Sequence, residues 1–155
     1  MTFAHILSAD IKKLSKTSFF LIHLLVPIAV AVVFTIYTAI TLYKTQALVI
    51  AYFQVIAIAF PVIAAIISSL VIDQEMDAGD GYYILSAPSR IKVLSSKLLI
   101  MICAGLFSSL LTGICFGTSL MVIRGASIVL LSQCMISSII IWACTIFLYI
   151  FQTLL

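Results

Sequence analysis

Seven of the thirteen charged residues of this chain fall between Asp73 and Lys97, in the stretch Asp73-Gln-Glu-Met-Asp-Ala-Gly-Asp-Gly-Tyr-Tyr-Ile-Leu-Ser-Ala-Pro-Ser-Arg90 and the residues that follow it. Four are carboxylates (Asp73, Glu75, Asp77, Asp80), but no His or Cys stands among them to share a proton, so the cluster is not the acid–base pair of an enzyme. Docking fits it better. The acidic residues flank Met76, Ala78, Tyr82, Tyr83, Ile84 and Leu85, an apolar set that would lie bare unless lipid or protein covered it. The spacing predicts a short helix, loosened at Gly79 and Gly81 and stopped before Pro88. A merely solvated connector would account for the charges and leave the Tyr82 to Leu85 cluster unexplained.

The remaining reactive side chains are scattered. Cys103, Cys115, Cys134 and Cys144 form no C-x-x-C pair and adjoin no histidine, which makes them small apolar filler and not metal ligands or disulfide partners. His5 and His23 stand alone. A histidine within a membrane can relay protons, but it needs an acidic partner, and none of the long uncharged stretches contains Asp or Glu. The same absence argues against a proton-coupled drug exporter built on a buried carboxylate. Thr38 and Thr41, with Tyr52 and Gln54 at a similar depth on the next helix, offer hydroxyls and an amide to the path of an amphipathic molecule. Threonine hydroxyls also bond their own helix carbonyls, and tyrosine favours membrane interfaces, so both readings stay open.

What positions these groups is a set of four stretches without formal charge: Thr17 to Tyr43, Thr45 to Ile72, Leu98 to Ile123 and Gly125 to Leu155. Each exceeds the roughly 20 apolar residues that a helix needs to cross a hydrocarbon core of about 30 Å. With 65% apolar residues, 8% charged residues and a mean hydropathy of +1.35, a chain of 155 residues cannot hide its side chains from water by folding alone. Backbone amides in lipid must be satisfied internally, and the alternating ten-residue segments of a barrel are missing. The expected fold is all-α: one polytopic domain over 1–155, with spans near 18–42, 48–72, 98–122 and 128–150 and a loop at 73–97.

Six of the eight basic residues (Lys12, Lys13, Lys16, Arg90, Lys92, Lys97) flank one side, and Lys44 and Arg124 the other. The positive-inside rule then places the N-terminus and the loop in the cytoplasm. The first apolar run is too long for the core of a secretory signal peptide. The chain ends still apolar at Leu155, which suggests a fragment or a natural truncation. Before the first span, Phe3, Ile6, Leu7, Ile11 and Leu14 recur at helical spacing with lysines around the rest of the wheel. That pattern suits an interfacial amphipathic helix, the alternative being a first span that begins early. Asp10 is expected to pair with Lys13 one turn on, to little effect, and Arg90, Lys92 and Lys97 to sit among lipid headgroups.

Gly105, Ser109, Gly113 and Gly117 recur every fourth residue on the third span, cutting a groove of small residues that another helix should enter closely. Its occupant is a helix of this chain or of a second subunit. Pro27 and Pro61 open backbone hydrogen bonds within the first two spans, as fixed bends or as hinges.

The sequence resembles the permease subunits of type-two ABC exporters, and among them the lantibiotic-immunity permeases of Gram-positive bacteria. The resemblance rests on Asp73-Gln-Glu75, Ala78-Gly79, Ile84-Leu85, Pro88-Ser-Arg90 and Lys97, on Asp10-Ile-Lys-Lys-Leu14, and on the entry into the first span from Phe19 to Pro27. It covers essentially the whole chain, although that family has six spans and this chain supplies four. It implies a coupling helix from Glu75 to Leu85, with Glu75, Met76, Asp77, Gly79, Tyr82, Tyr83 and Leu85 touching an ABC-type ATP-binding subunit. ATP and Mg would be held by that partner, since this chain has no G-x-x-x-x-G-K-[ST] phosphate loop and is expected to hold no cofactor and to catalyse nothing itself. It further implies a second permease copy or paralogue, membrane lipid as surroundings, a cationic peptide as cargo and no nucleic-acid partner. A general drug or lipid exporter, or an accessory protein whose loop recruits a cytosolic partner, are the alternatives.

Overall fold

The computed structural model describes residues 2–77 and 90–154, with side chains for 2–74 and 90–152. They form five helices: α1 (Phe3–Leu14), α2 (Phe19–Ile40), α3 (Thr45–Asp77), α4 (Arg90–Arg124) and α5 (Ile128–Leu154). The last four are long and apolar enough to cross a membrane.

Local chemistry sets the breaks. Between α1 and α2 the Thr17 hydroxyl donates to the Leu14 carbonyl (2.7 Å), and the same oxygen accepts the Phe19 N–H (3.3 Å). These bonds hold the turn that separates the two helices, so α1 is a helix of its own and not an early start of the first span. The α2–α3 connection is a few residues, with Thr41 extended (φ −92°, ψ 150°). At the end of α4, Gly125 adopts φ +60° and the Ala126 N–H turns back to the Leu120 carbonyl (3.3 Å). A side chain there would meet nothing within 4 Å, so the position needs glycine for its backbone alone. Gly125→Ala is expected to cost about 1–2 kcal/mol, read as a lower unfolding midpoint with no change in helix content.

The spans reach further than hydropathy suggested on the loop side. Asp73-Gln-Glu-Met-Asp77 contains no helix breaker, and α3 continues through it. Similarly, α4 starts at Arg90, just past Pro88. With 33 and 35 residues, these helices are each about 50 Å long at 1.5 Å per residue. A hydrocarbon core of about 30 Å leaves several turns to spare. Pro27 and Pro61 lie inside helices that run on past them.

Packing centres on α4, which lies against α5, α2 and α1, while α3 packs chiefly on α5. Its buried face carries small and polar residues, among them Ser96, Gly105, Ser108, Ser109, Thr112, Gly113 and Gly117. Lipid tails are as apolar as leucine, so close backbone approach and hydrogen bonds, not hydrophobic burial, must hold the spans together. Two core clusters result. One, on the loop side, joins Leu14, Phe19, Ile67, Val71, Met101 and Tyr149; the other, on the far side, joins Tyr52, Ile56, Phe60, Phe116, Leu120 and Cys134.

Candidate functional site

Asp10 is not a surface partner for the next turn of its own helix. On α1 the buried residues are Ile6, Asp10 and Leu14, a stripe at four-residue spacing that lies on α4, with the carboxylate at its centre. Ser96 Oγ donates to Asp10 Oδ2 (2.7 Å), and Lys97 Nζ lies 3.5 Å from Oδ1. Asp10 is 1% exposed and Lys97 5%. Lys97 is therefore turned into the protein and not out to headgroups. Two charges are stable in so dry a place only when paired and hydrogen-bonded, which both oxygens of Asp10 satisfy. The pair ties α1 to α4 about two turns from the point where α4 leaves the loop.

Each other span is tied to α4 by a polar contact as well. Arg124 donates through Nη2 to the carbonyls of Thr38 (2.7 Å) and Thr41. A cation placed at the C-terminal end of α2 satisfies carbonyls left without helical partners and meets the negative end of the helix dipole. From α3, the Tyr52 hydroxyl donates to the Thr112 carbonyl (3.2 Å), its ring stacked on Phe116 at 3.8 Å between centroids. From α5, Trp142 Nε1 donates to the Ile102 carbonyl (3.0 Å).

Those contacts assign most of the groups singled out as a substrate path to structural work. Thr38 is buried, with its hydroxyl on the Phe34 carbonyl (2.7 Å), and Thr41 gives its carbonyl to Arg124. Tyr52 is turned into the core against α4. Gln54, two residues on, is exposed and lines a groove of about 600 Å³ between α3 and α5 with Gln46, Gln133 and Ser137. The four do not converge on one cavity among those described.

The small-residue groove on α4 is filled from within the chain. A Cβ at Gly105 would stand 3.1 Å from Tyr149 Oη, one at Gly113 2.5 Å from Ser138 Oγ, and one at Gly117 2.5 Å from Leu131 Cδ1, all on α5. Ser109 is buried in the same face and donates to the Leu106 carbonyl (3.2 Å). The helix that enters the groove is α5 of the same chain. Of the seven residues expected to contact an ATPase, Glu75, Met76 and Asp77 form the last turn of α3. Gly79, Tyr82, Tyr83 and Leu85 lie outside the described residues.

Four membrane-length helices, α4 central among them and tied by polar contacts to the others, define a multi-pass α-helical membrane protein. No family model, curated protein or solved structure matches the chain.

Proposed function

We propose that this chain is the membrane-spanning permease subunit of an ABC exporter, driven by a separate ATP-binding subunit that docks on the loop between α3 and α4. The observation that carries the docking part is the overshoot of α3 and α4, which are each about 20 Å longer than a hydrocarbon core. Two such struts would hold the Glu75 to Leu85 segment clear of the bilayer and pass a push on it into the bundle. Because α4 bears the ties to every other helix, a tilt started at Arg90 would reach α1 through Asp10 and α2 through Arg124. The cytoplasmic placement of the loop follows from the distribution of lysine and arginine. The cargo, a cationic lantibiotic peptide expelled from a Gram-positive plasma membrane for self-protection, rests on the sequence resemblance alone, as does pairing with a second permease.

The test is copurification in mild detergent with a candidate ABC ATPase. Wild-type chain is expected to retain the ATPase, and Glu75→Ala with Tyr83→Ala to lose it while remaining folded. A wild-type chain that retains none would refute the docking reading.

A further inference from the structure

Three glutamines carry one further inference. Gln46 and Gln54 on α3 and Gln133 on α5 stand exposed along the groove of about 600 Å³ between those helices, with Ser137 half-buried beside them. Gln54 is nine residues from the end of α3 that lies away from the loop, a depth of about 14 Å, near the middle of a hydrocarbon core of about 30 Å. Ser137 lies as many residues down α5, and Gln133 about 8 Å down it. Exposed hydroxyls elsewhere on the spans turn back to carbonyls of their own helix, as Thr118 does to Ile114 (2.7 Å) and Ser132 to Val129 (2.7 Å). The glutamine amides do not. Each has two N–H donors and an acceptor oxygen, and none of the three makes a side-chain hydrogen bond among the described residues. Hydrocarbon offers an amide no partner, so polar side chains at this depth face another helix or a water-filled cavity.

What covers this face must supply donors and acceptors together, at matching depths on two helices. It must also carry no charge, because no charged side chain lines the groove to meet one. A lipid tail fails the first condition and an ionic headgroup the second. A second copy of the chain meets both. An amide is its own complement, and a two-fold axis along the membrane normal brings each depth of one copy to the same depth of the other. Two uncharged faces do not repel. Ile50, Ile136 and Ile140, each more than half exposed at the groove, supply the apolar surface that lets two such faces pack between the amides.

We propose that the α3–α5 face binds a second copy of this chain, with Gln54 and Gln133 of the two copies sharing amide hydrogen bonds inside the membrane. The sequence resemblance implies a second permease without naming a surface; the amides name one, and they do so whether or not an ATPase docks on the loop.

The experiment places the fluorescently labelled full chain in phosphatidylcholine vesicles and counts copies by single-molecule photobleaching as the protein is diluted in lipid. Wild-type chain is expected to pass from dimer to monomer on dilution. Gln54→Leu with Gln133→Leu keeps the bulk of both side chains and removes the amides, and should move that midpoint to about tenfold higher protein density or more. Thr118→Val, whose hydroxyl already bonds its own helix, should leave it in place. Benzoylphenylalanine at Ile140 should cross-link two copies on illumination, and at Val33, 63% exposed on α2, should not. A chain that stays monomeric at every density would overturn the proposal and leave the amides to a water-filled path. A dimer whose midpoint ignores the loss of the amides, or one that cross-links through Val33 and not Ile140, would overturn it too. The cross-linking pattern decides the matter even if the double leucine variant does not fold. Capture of an ATPase reads the loop and not this face, so either reading can fail alone.

Discussion

Lys97→Met is expected to release α1 from the bundle. The substitution keeps the apolar stem of the side chain and removes its charge, leaving the Asp10 carboxylate 1% exposed with the Ser96 hydroxyl as its polar partner among the described residues. Breaking a buried ion pair from one side costs about 3–5 kcal/mol, because the surviving charge has lost its compensation. Asp10→Leu removes the ion pair from the other side and should also loosen α1. Since α1 packs on the bundle chiefly through α4, the loss should appear locally, as an undocked α1 and not as a melted bundle. Trypsin cleavage at Lys12, Lys13 and Lys16 in nanodiscs reads it directly. Each single variant should be cut more than a hundredfold faster wherever cleavage follows the undocked population. The double variant Asp10→Leu with Lys97→Met, which removes both charges, should recover most of the resistance. Single variants as resistant as wild type, or a double variant as weak as the two singles combined, would refute this account.

The rescue bears on why the pair exists. Replacing a buried pair by well-packed apolar residues is often neutral or stabilising, so attachment of α1 does not by itself call for charge. Apolar side chains would hold α1 about as well in several rotations and registers. A carboxylate that must meet Ser96 Oγ and Lys97 Nζ together admits one. The pair therefore fixes which turn of α1 faces which turn of α4, at the level where α4 rises from the loop. In the exporter reading that contact would carry loop motion to the N-terminal helix, and the double variant would keep the fold while coupling less faithfully.

How much of this was legible in the sequence follows from how local each cause is. The spans were, since four uncharged runs leave one solvent for their side chains, and α2 and α5 lie close to the expected limits. Their extensions into the loop were not, because a charged residue marks the end of hydrocarbon but does not end a helix, and α3 meets no glycine before Gly79. The glycine spacing on α4 announced a close neighbour without naming it. The role of Asp10 was hidden. In sequence it stands three residues from Lys13, while its partners Ser96 and Lys97 are on another helix. One signal was available: Asp10 continues the stripe of Ile6 and Leu14, four residues from each, so a helix burying that stripe had to bury a carboxylate. Arg124 looked like a charge in an outer turn for the same reason, its acceptors at Thr38 and Thr41 being remote in sequence.

The three glycines of the α4 seam should not respond alike to alanine, and Gly113 should respond most. Alanine is the better helix former by about 1 kcal/mol, so an unconstrained site would gain from the change. At Gly113 the new Cβ would sit 2.5 Å from Ser138 Oγ, 3.3 Å from Ser138 Cβ and 3.1 Å from the Cys134 carbonyl oxygen. Rotating the serine hydroxyl removes the first conflict and leaves the other two. The carbonyl belongs to the backbone of α5, so the helices must part. Overpacking of this kind costs about 1–3 kcal/mol, enough to reverse the propensity gain. In lipid, lost van der Waals contact is not made good by hydrophobic burial. At Gly117 the near atom is the far end of Leu131, and at Gly105 the ring of Tyr149, at 3.1 Å or more. Those side chains can yield without moving a backbone. Thermal unfolding in one detergent should rank Gly113→Ala below Gly117→Ala and Gly105→Ala. Gly113→Leu should separate α4 from α5 outright, seen as loss of the Trp142 fluorescence environment set by its bond to the Ile102 carbonyl. Adding Ser138→Gly to Gly113→Ala should restore part of the loss but not all, because the Cys134 carbonyl remains. Full restoration would place the conflict on the serine and contradict backbone contact as the origin of the seam.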